Sequence, residues 1–221
     1  MWDSGMIDTL LTGILETLYM VVVSTAASYV IGIPVGVILY ITDENGICRN
    51  KPLNKILGAV VNLLRSVPFI VLLVAIIPFT RAIAGTTIGS TATIVPLVVA
   101  AAPFVARMVE SSLKEVDGGV IEAAASMGSS PFQIVCKVLL PEAKPSLIVG
   151  SAIAITTILG YSAMAGFTGG GGLGSIAINY GYYRYEDDVM LVTVLILVVI
   201  VQIFQEVGMR VAFKTDKRIR R

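Results

Sequence analysis

The 221-residue chain is 56% hydrophobic, carries charge on only 14% of its residues and has a formal net charge of +1. With a mean hydropathy of +0.87, this is the composition of an integral membrane protein rather than a soluble domain. Histidine is absent, which excludes histidine metal sites, proton relays and histidine-dependent triads, and the near-zero net charge argues against a nucleic-acid partner.

A membrane crossing needs roughly 20 mainly apolar residues, and five segments meet that length, at about 18–41, 56–79, 91–109, 147–165 and 189–207. The first ten residues hold Asp3 and Asp8 without Lys or Arg, unlike the basic start of a cleaved signal peptide. In the first span Gly32 and Gly36 permit close helix approach, and Glu16 at its outer end reads as an interfacial charge. The second carries Arg65 near its start and Pro68 within it. The third contains Pro96 and Pro103, tolerated where neighbouring groups satisfy the freed backbone, and a run of small residues (Ala100, Ala101, Ala102, Ala106). Arg107 and Glu110, three residues apart at its end, form either a surface pair worth a few tenths of a kcal/mol or a brace for the segment that follows. Arg65 is assigned a similar bracing role.

That segment, 117–141, is polar and punctuated. Asp117-Gly118-Gly119 can start a helix, which the alanine-rich stretch from Val120 to Met127 propagates. Gly128 suits the left-handed residue that closes a helix. Ser130, Pro131 and Gln133 then provide an N-cap, a first-turn proline and the third-position partner of a capping box. A second helix is expected to run until Pro141, with Pro145 opening span four. Helix, glycine corner, helix and proline stop together make a rigid, water-facing protrusion.

Span four ends with Tyr161, Ser162 and Met164 before a glycine-rich turn. Met164, a soft and adaptable thioether, is the candidate pathway or gate residue, alongside Tyr161 and Ser162. Gly169, Gly171 and Gly174 satisfy Gly-x-Gly-x-x-Gly, but no strand precedes them and no βαβ unit could use them, so a tight external turn is the reading. Span five is apolar apart from Thr193, as for a lipid-facing helix. No Gly-x-x-x-x-Gly-Lys-Ser/Thr phosphate loop occurs, and Cys48 and Cys136 are too far apart to read as a metal or disulfide motif.

Lys and Arg fix the expected orientation. Arg49, Lys51 and Lys55, then Lys114, Lys137 and Lys144, then Lys214, Lys217, Arg218, Arg220 and Arg221 fall on one face. The other face has Arg81 and Arg184 beside Glu186-Asp187-Asp188. Positive charge marks the cytoplasmic side, placing the N-terminus outside and the C-terminus in the cytoplasm. The basic tail reads as a topology anchor.

The pattern Glu122-Ala123-Ala124, Gly128, Val138, Leu140-Pro141 resembles the signature loop of ABC-importer permeases. Arg65-Ser66-Val67-Pro68-Phe69-Ile70, Ile77-Pro78-Phe79-Thr80-Arg81, the stretch from Ala102-Pro103-Phe104 to Glu110 and that from Gly160-Tyr161 to Gly166 resemble the methionine-import permeases in particular. The resemblance implies an all-α, five-span type I importer permease forming one transmembrane domain over 1–221 in the bacterial cytoplasmic membrane. It further implies a homodimer, two ABC ATPase subunits and an extracytoplasmic substrate-binding lipoprotein. In such permeases Glu122, Ala123, Ala124, Gly128, Leu140 and Pro141 belong to a coupling helix docked on the ATPase, and ATP and Mg bind that partner, leaving this chain without a cofactor or catalytic residue. Transport would proceed by alternating access. The competing readings are an ABC permease for another small amino acid or related cargo, and an ion-driven secondary transporter. The second needs inverted repeats or carboxylates near the membrane midplane, and neither is evident in the sequence.

Overall fold

Eleven α-helices in chain order, among the described residues, account for nearly all of the regular structure, in a computed structural model that describes residues 4–215. Asp3 and the tail residues Lys217, Arg218, Arg220 and Arg221 lie outside the described residues. Four long segments are apolar enough to cross a membrane: α1 (Ser4–Ile41), α5 (Ser90–Lys114), α9 (Lys144–Met164) with the short turn Ala165–Thr168 that extends it, and α11 (Asp187–Thr215). A fifth crossing is formed only if α2 (Lys51–Ser66) and α3 (Phe69–Ala75) count as one span, because the chain bends by 101° between them. The sequence expectation of one span over 56–79 therefore meets a broken one. Pro68 has no N–H to continue the α2 ladder, and the residue before a proline is driven out of the α region. The helix α4 (Ile77–Ala84) follows and closes on Gly85 at φ 73°. Pro96 and Pro103 do the opposite in α5, which runs unbroken through both.

The chain divides into two units. The first comprises Met1–Ser28, Val67–Ala101 and Ala154–Gln205. Its core joins Met20 and Val21 of α1, Phe69 and Leu73 of α3, Leu97 and Ala101 of α5, and Ile158 and Leu159 of α9. Phe69 and Tyr161 stack with ring centroids 4.6 Å apart and planes 5° from parallel. A smaller cluster joins Leu10, Leu173, Ile176 and Val189. Along α11 the side chains of Leu191, Val194, Leu195, Val198 and Val199 are exposed, as a lipid-facing surface requires, while buried Thr193 donates its hydroxyl to the Val189 carbonyl.

The second unit comprises Tyr29–Ser66, Ala102–Ile153 and Glu206–Arg221. Here α1 and α5 meet backbone to backbone at Gly36. A Cβ there would stand 2.5 Å from the Ala106 carbonyl oxygen and 2.7 Å from Val109 Cβ, which is why a small residue occupies the crossing. Helices α6 (Gly118–Ser126), α7 (Pro131–Ile134) and α8 (Leu140–Glu142) form the polar segment between α5 and α9.

Candidate functional site: a rigid corner and its ionic brace

The polar segment is built by local chemistry. Asp117 caps α6, its carboxylate accepting the Gly119 N–H at 2.7 Å. Gly128 takes φ 79° in open space, so the corner needs glycine for its backbone angle and not for room. The capping box is present in full: Ser130 Oγ accepts the Gln133 N–H at 3.4 Å, and Gln133 Oε1 accepts the Ser130 N–H at 2.9 Å. Pro141 does not stop the helix, contrary to the sequence expectation. The turn Val135–Leu139 widens to a π-helix, the Leu140 N–H bonding back five residues to the Val135 carbonyl, and α8 continues to Glu142. The wider turn accommodates a proline that has no N–H and whose ring would crowd the carbonyl four residues back.

The signature residues divide between the two sides of this corner. Ala124 is buried, anchoring α6, and Leu140 is half-buried, whereas Glu122, Ala123, Gly128 and Pro141 are exposed. Two residues that the sequence reading passed over stand beside them: Met127 is 79% exposed and Phe132 77% exposed. Their signal in the sequence was an apolar side chain on each flank of the glycine corner of an otherwise polar loop.

The segment is rooted on an ionic cluster at the end of α5. Glu110, 6% exposed, accepts from Arg107 Nη1 at 2.6 Å and from Lys114 Nζ at 2.9 Å. Arg107 also reaches Asn62 Oδ1 at 3.0 Å and the Gly58 carbonyl at 3.2 Å on α2. Lys114 completes the bridge to Asp43, after α1, at 3.0 Å. The backbone N–H of Glu44 and then the Lys114 ammonium hold the Asp43 carboxyl below its usual range. The expected Arg107–Glu110 pair is thus part of a four-residue network joining three helical segments. Arg65 is exposed and forms no ion pair among the described residues. Ser112 and Ser146 bond at 3.0 Å, tying α5 to the start of α9.

In the first unit the three pathway candidates, all on the last turn of α9, stand in different environments. Tyr161 is stacked on Phe69, Ser162 is buried with its hydroxyl donated to the Leu159 carbonyl, and Met164 points outward at 44% exposure. Glu16, expected to be a plain interfacial charge, instead accepts the Gly172 N–H at 2.6 Å.

Long apolar helices, with a capped polar segment between two of them, define an integral membrane protein. The chain belongs to the family of binding-protein-dependent transport system inner membrane components, which it matches over residues 32–221. It is 54% identical over 217 residues to the probable D-methionine transport system permease protein MetI of Vibrio cholerae, covering 98% of this chain and 96% of the relative. Its fold superposes on a chain of the inward-facing MetNI methionine ABC transporter with a TM-score of 0.96 at 49% identity, covering 97% of this chain and all of that one. An amino acid ABC transporter crystallised with histidines shares the fold alone, with a TM-score of 0.78 at 18% identity and 95% of each chain covered. The all-helical architecture is that of the ABC-importer permeases.

Proposed function

We propose that this chain is the permease subunit of an ATP-driven methionine importer, in which two copies enclose the pathway and each receives an ABC ATPase on its 117–141 corner. The observation that carries this reading is the corner itself: Glu122, Met127 and Phe132 are bare on two short helices capped by Asp117 and Ser130 and joined at Gly128. A rigid element transmits displacement without absorbing it. Closure of the two partners would push α6 and α7, and the Arg107–Glu110–Lys114–Asp43 network would pass that motion to α1, α2 and α5. The spans would then alternate between inward-open and outward-open states, with cargo delivered by an external binding protein and the chemistry of ATP and Mg confined to the partner subunit.

The N-terminus lies outside and the C-terminus in the cytoplasm in this reading, supported by Lys51, Lys55, Lys114, Lys137 and Lys144 all falling in the segments that a five-span threading assigns to one side. Methionine as cargo is supported by the relative's and the transporter's names, and Met164 is the one pathway candidate with its side chain free to meet it. Arg65 has no bracing ion pair among the described residues to support its assigned role. The test is uptake of labelled methionine into proteoliposomes holding the permease with its ATPase, with binding protein outside and ATP inside. Uptake that needs both is expected. ATP-independent uptake driven by a proton or sodium gradient would overturn the reading in favour of a secondary transporter.

A further inference from the structure

The helix α10 (Gly172–Ile176) starts on Gly171, which has no side chain to cap it. Its first amide donors would therefore be orphaned. They are satisfied from α1. Glu16 Oε2 accepts the Gly172 N–H at 2.6 Å, and Thr17 Oγ1 accepts the Leu173 N–H at 2.9 Å while donating to the Gly13 carbonyl at 2.8 Å. The first of these bonds has a carboxylate acceptor, the stronger kind. The approach depends on the glycines. A Cβ at Gly171 would stand 2.9 Å from Glu16 Oε2, and one at Gly172 would stand 2.6 Å from Thr17 Oγ1.

The other side of the turn is held by α5 and the glycine that precedes it. Thr93 Oγ1 donates to the Gly170 carbonyl at 3.1 Å, and the Gly89 N–H bonds the Gly169 carbonyl at 2.9 Å. Gly169, Gly171 and Gly172 all have positive φ. A turn whose backbone is this permissive thus owes its place to bonds from two helices distant in sequence. A cavity of about 420 Å³, lined by Asp8, Thr12, Glu16, Ser175 and Asn179 among others, opens beside it, so water can reach the Gly172 amide once the Glu16 acceptor is removed.

We propose that Glu16 and Thr17 are positioning residues for transport: a helix cap supplied by α1 that keeps the 169–174 turn and α10 in register with α1 as the permease changes state. Water could replace either acceptor chemically, but a water molecule is not tethered to α1, so the register and not the hydrogen bond is what a variant loses. The inference rests on the permease reading given above.

The experiment uses the full permease–ATPase complex in nanodiscs, with wild type, Glu16→Ala, Glu16→Gln and Thr17→Val compared by amide exchange and by methionine turnover per assembled complex. In Glu16→Ala, exchange in the peptide covering 172–173 is expected to rise about tenfold, and turnover to fall by a similar factor with KM unchanged. Glu16→Gln, which keeps an acceptor oxygen, should restore most of both. A purely structural role would lower the yield of complex and leave turnover per complex unchanged. Wild-type turnover in Glu16→Ala, or unchanged exchange at 172–173, overturns the proposal. If Glu16→Ala does not assemble, Thr17→Val carries the same two readouts, with a smaller rise and fall expected and an absence of either overturning it. A wild-type complex that imports no methionine overturns the permease reading and the positioning role with it. Wild-type import alongside an unaffected Glu16→Ala overturns the positioning role alone.

Discussion

Replacing Glu110 by Gln removes one negative charge from a site where three charged groups converge on it directly or through Lys114. Breaking one side of a fully buried ion pair costs about 3–5 kcal/mol. Here the Glu110 side chain is 8% exposed, but those of Arg107 and Lys114 are 26% and 49% exposed. Solvent therefore recovers part of what each cation loses, and Lys114 keeps Asp43 while Arg107 keeps Asn62 and the Gly58 carbonyl. Discounting for that exposure leaves about 2 kcal/mol. At roughly 2–4 °C per kcal/mol for a chain of this size, the midpoint of thermal unfolding should fall by about 4–8 °C. Circular dichroism of the detergent-purified protein would measure it. A cycle with Lys114→Met should show coupling of about 1 kcal/mol between the two positions, since neither is independent of the other. A Glu110→Gln midpoint within 1 °C or so of wild type, or strict additivity in the cycle, would refute the reasoning that the network roots the corner.

Gly36→Val should destabilise by about 1–3 kcal/mol or block accumulation of folded protein, because the new side chain meets the Ala106 carbonyl and Val109 with no flexible neighbour to yield; expression with fluorescence-detected size exclusion reads it. Ser130→Ala should cost about 1 kcal/mol by removing the α7 cap, and faster amide exchange confined to 132–134 would report it. Asp43 has a depressed pKa, so its contribution is complete above its ordinary value of 3.8 and is lost as pH falls through the lower folded value. With the side chain about a third exposed, that contribution is a few tenths of a kcal/mol. The unfolding midpoints of wild type and Asp43→Asn should therefore differ slightly near neutral pH and converge below pH 3.8.

The corner was legible in the sequence because its signals are local: Ser130, Pro131 and Gln133 lie within four residues, and Gly128 carries its own conformational argument. The spans with intact ladders were legible from length and apolarity. What stayed hidden depends on distant or cooperative geometry. Pro68 and Pro141 are chemically alike, yet one accompanies a 101° bend and the other sits in a helix that widens by one residue to contain it. The partner of Glu16 lies 156 residues away, so only the assembled unit reveals that an apparent interfacial charge is a cap. Arg107 and Glu110 could be paired from spacing alone, but Lys114 and Asp43 join them through packing of separate helices. Tyr161 and Ser162 sit at consecutive positions and read as pathway candidates, while the fold commits one to a stack and the other to its own helix.

Co-purification of an ABC ATPase with this permease, compared between wild type and a Glu122→Lys, Gly128→Trp variant, tests the coupling assignment most directly. Wild type should bring down a hydrolytically active ATPase, and the variant, though still folded in the membrane, should bring down none. An ATPase retained equally by both would place its docking surface away from the 117–141 corner and contradict the account.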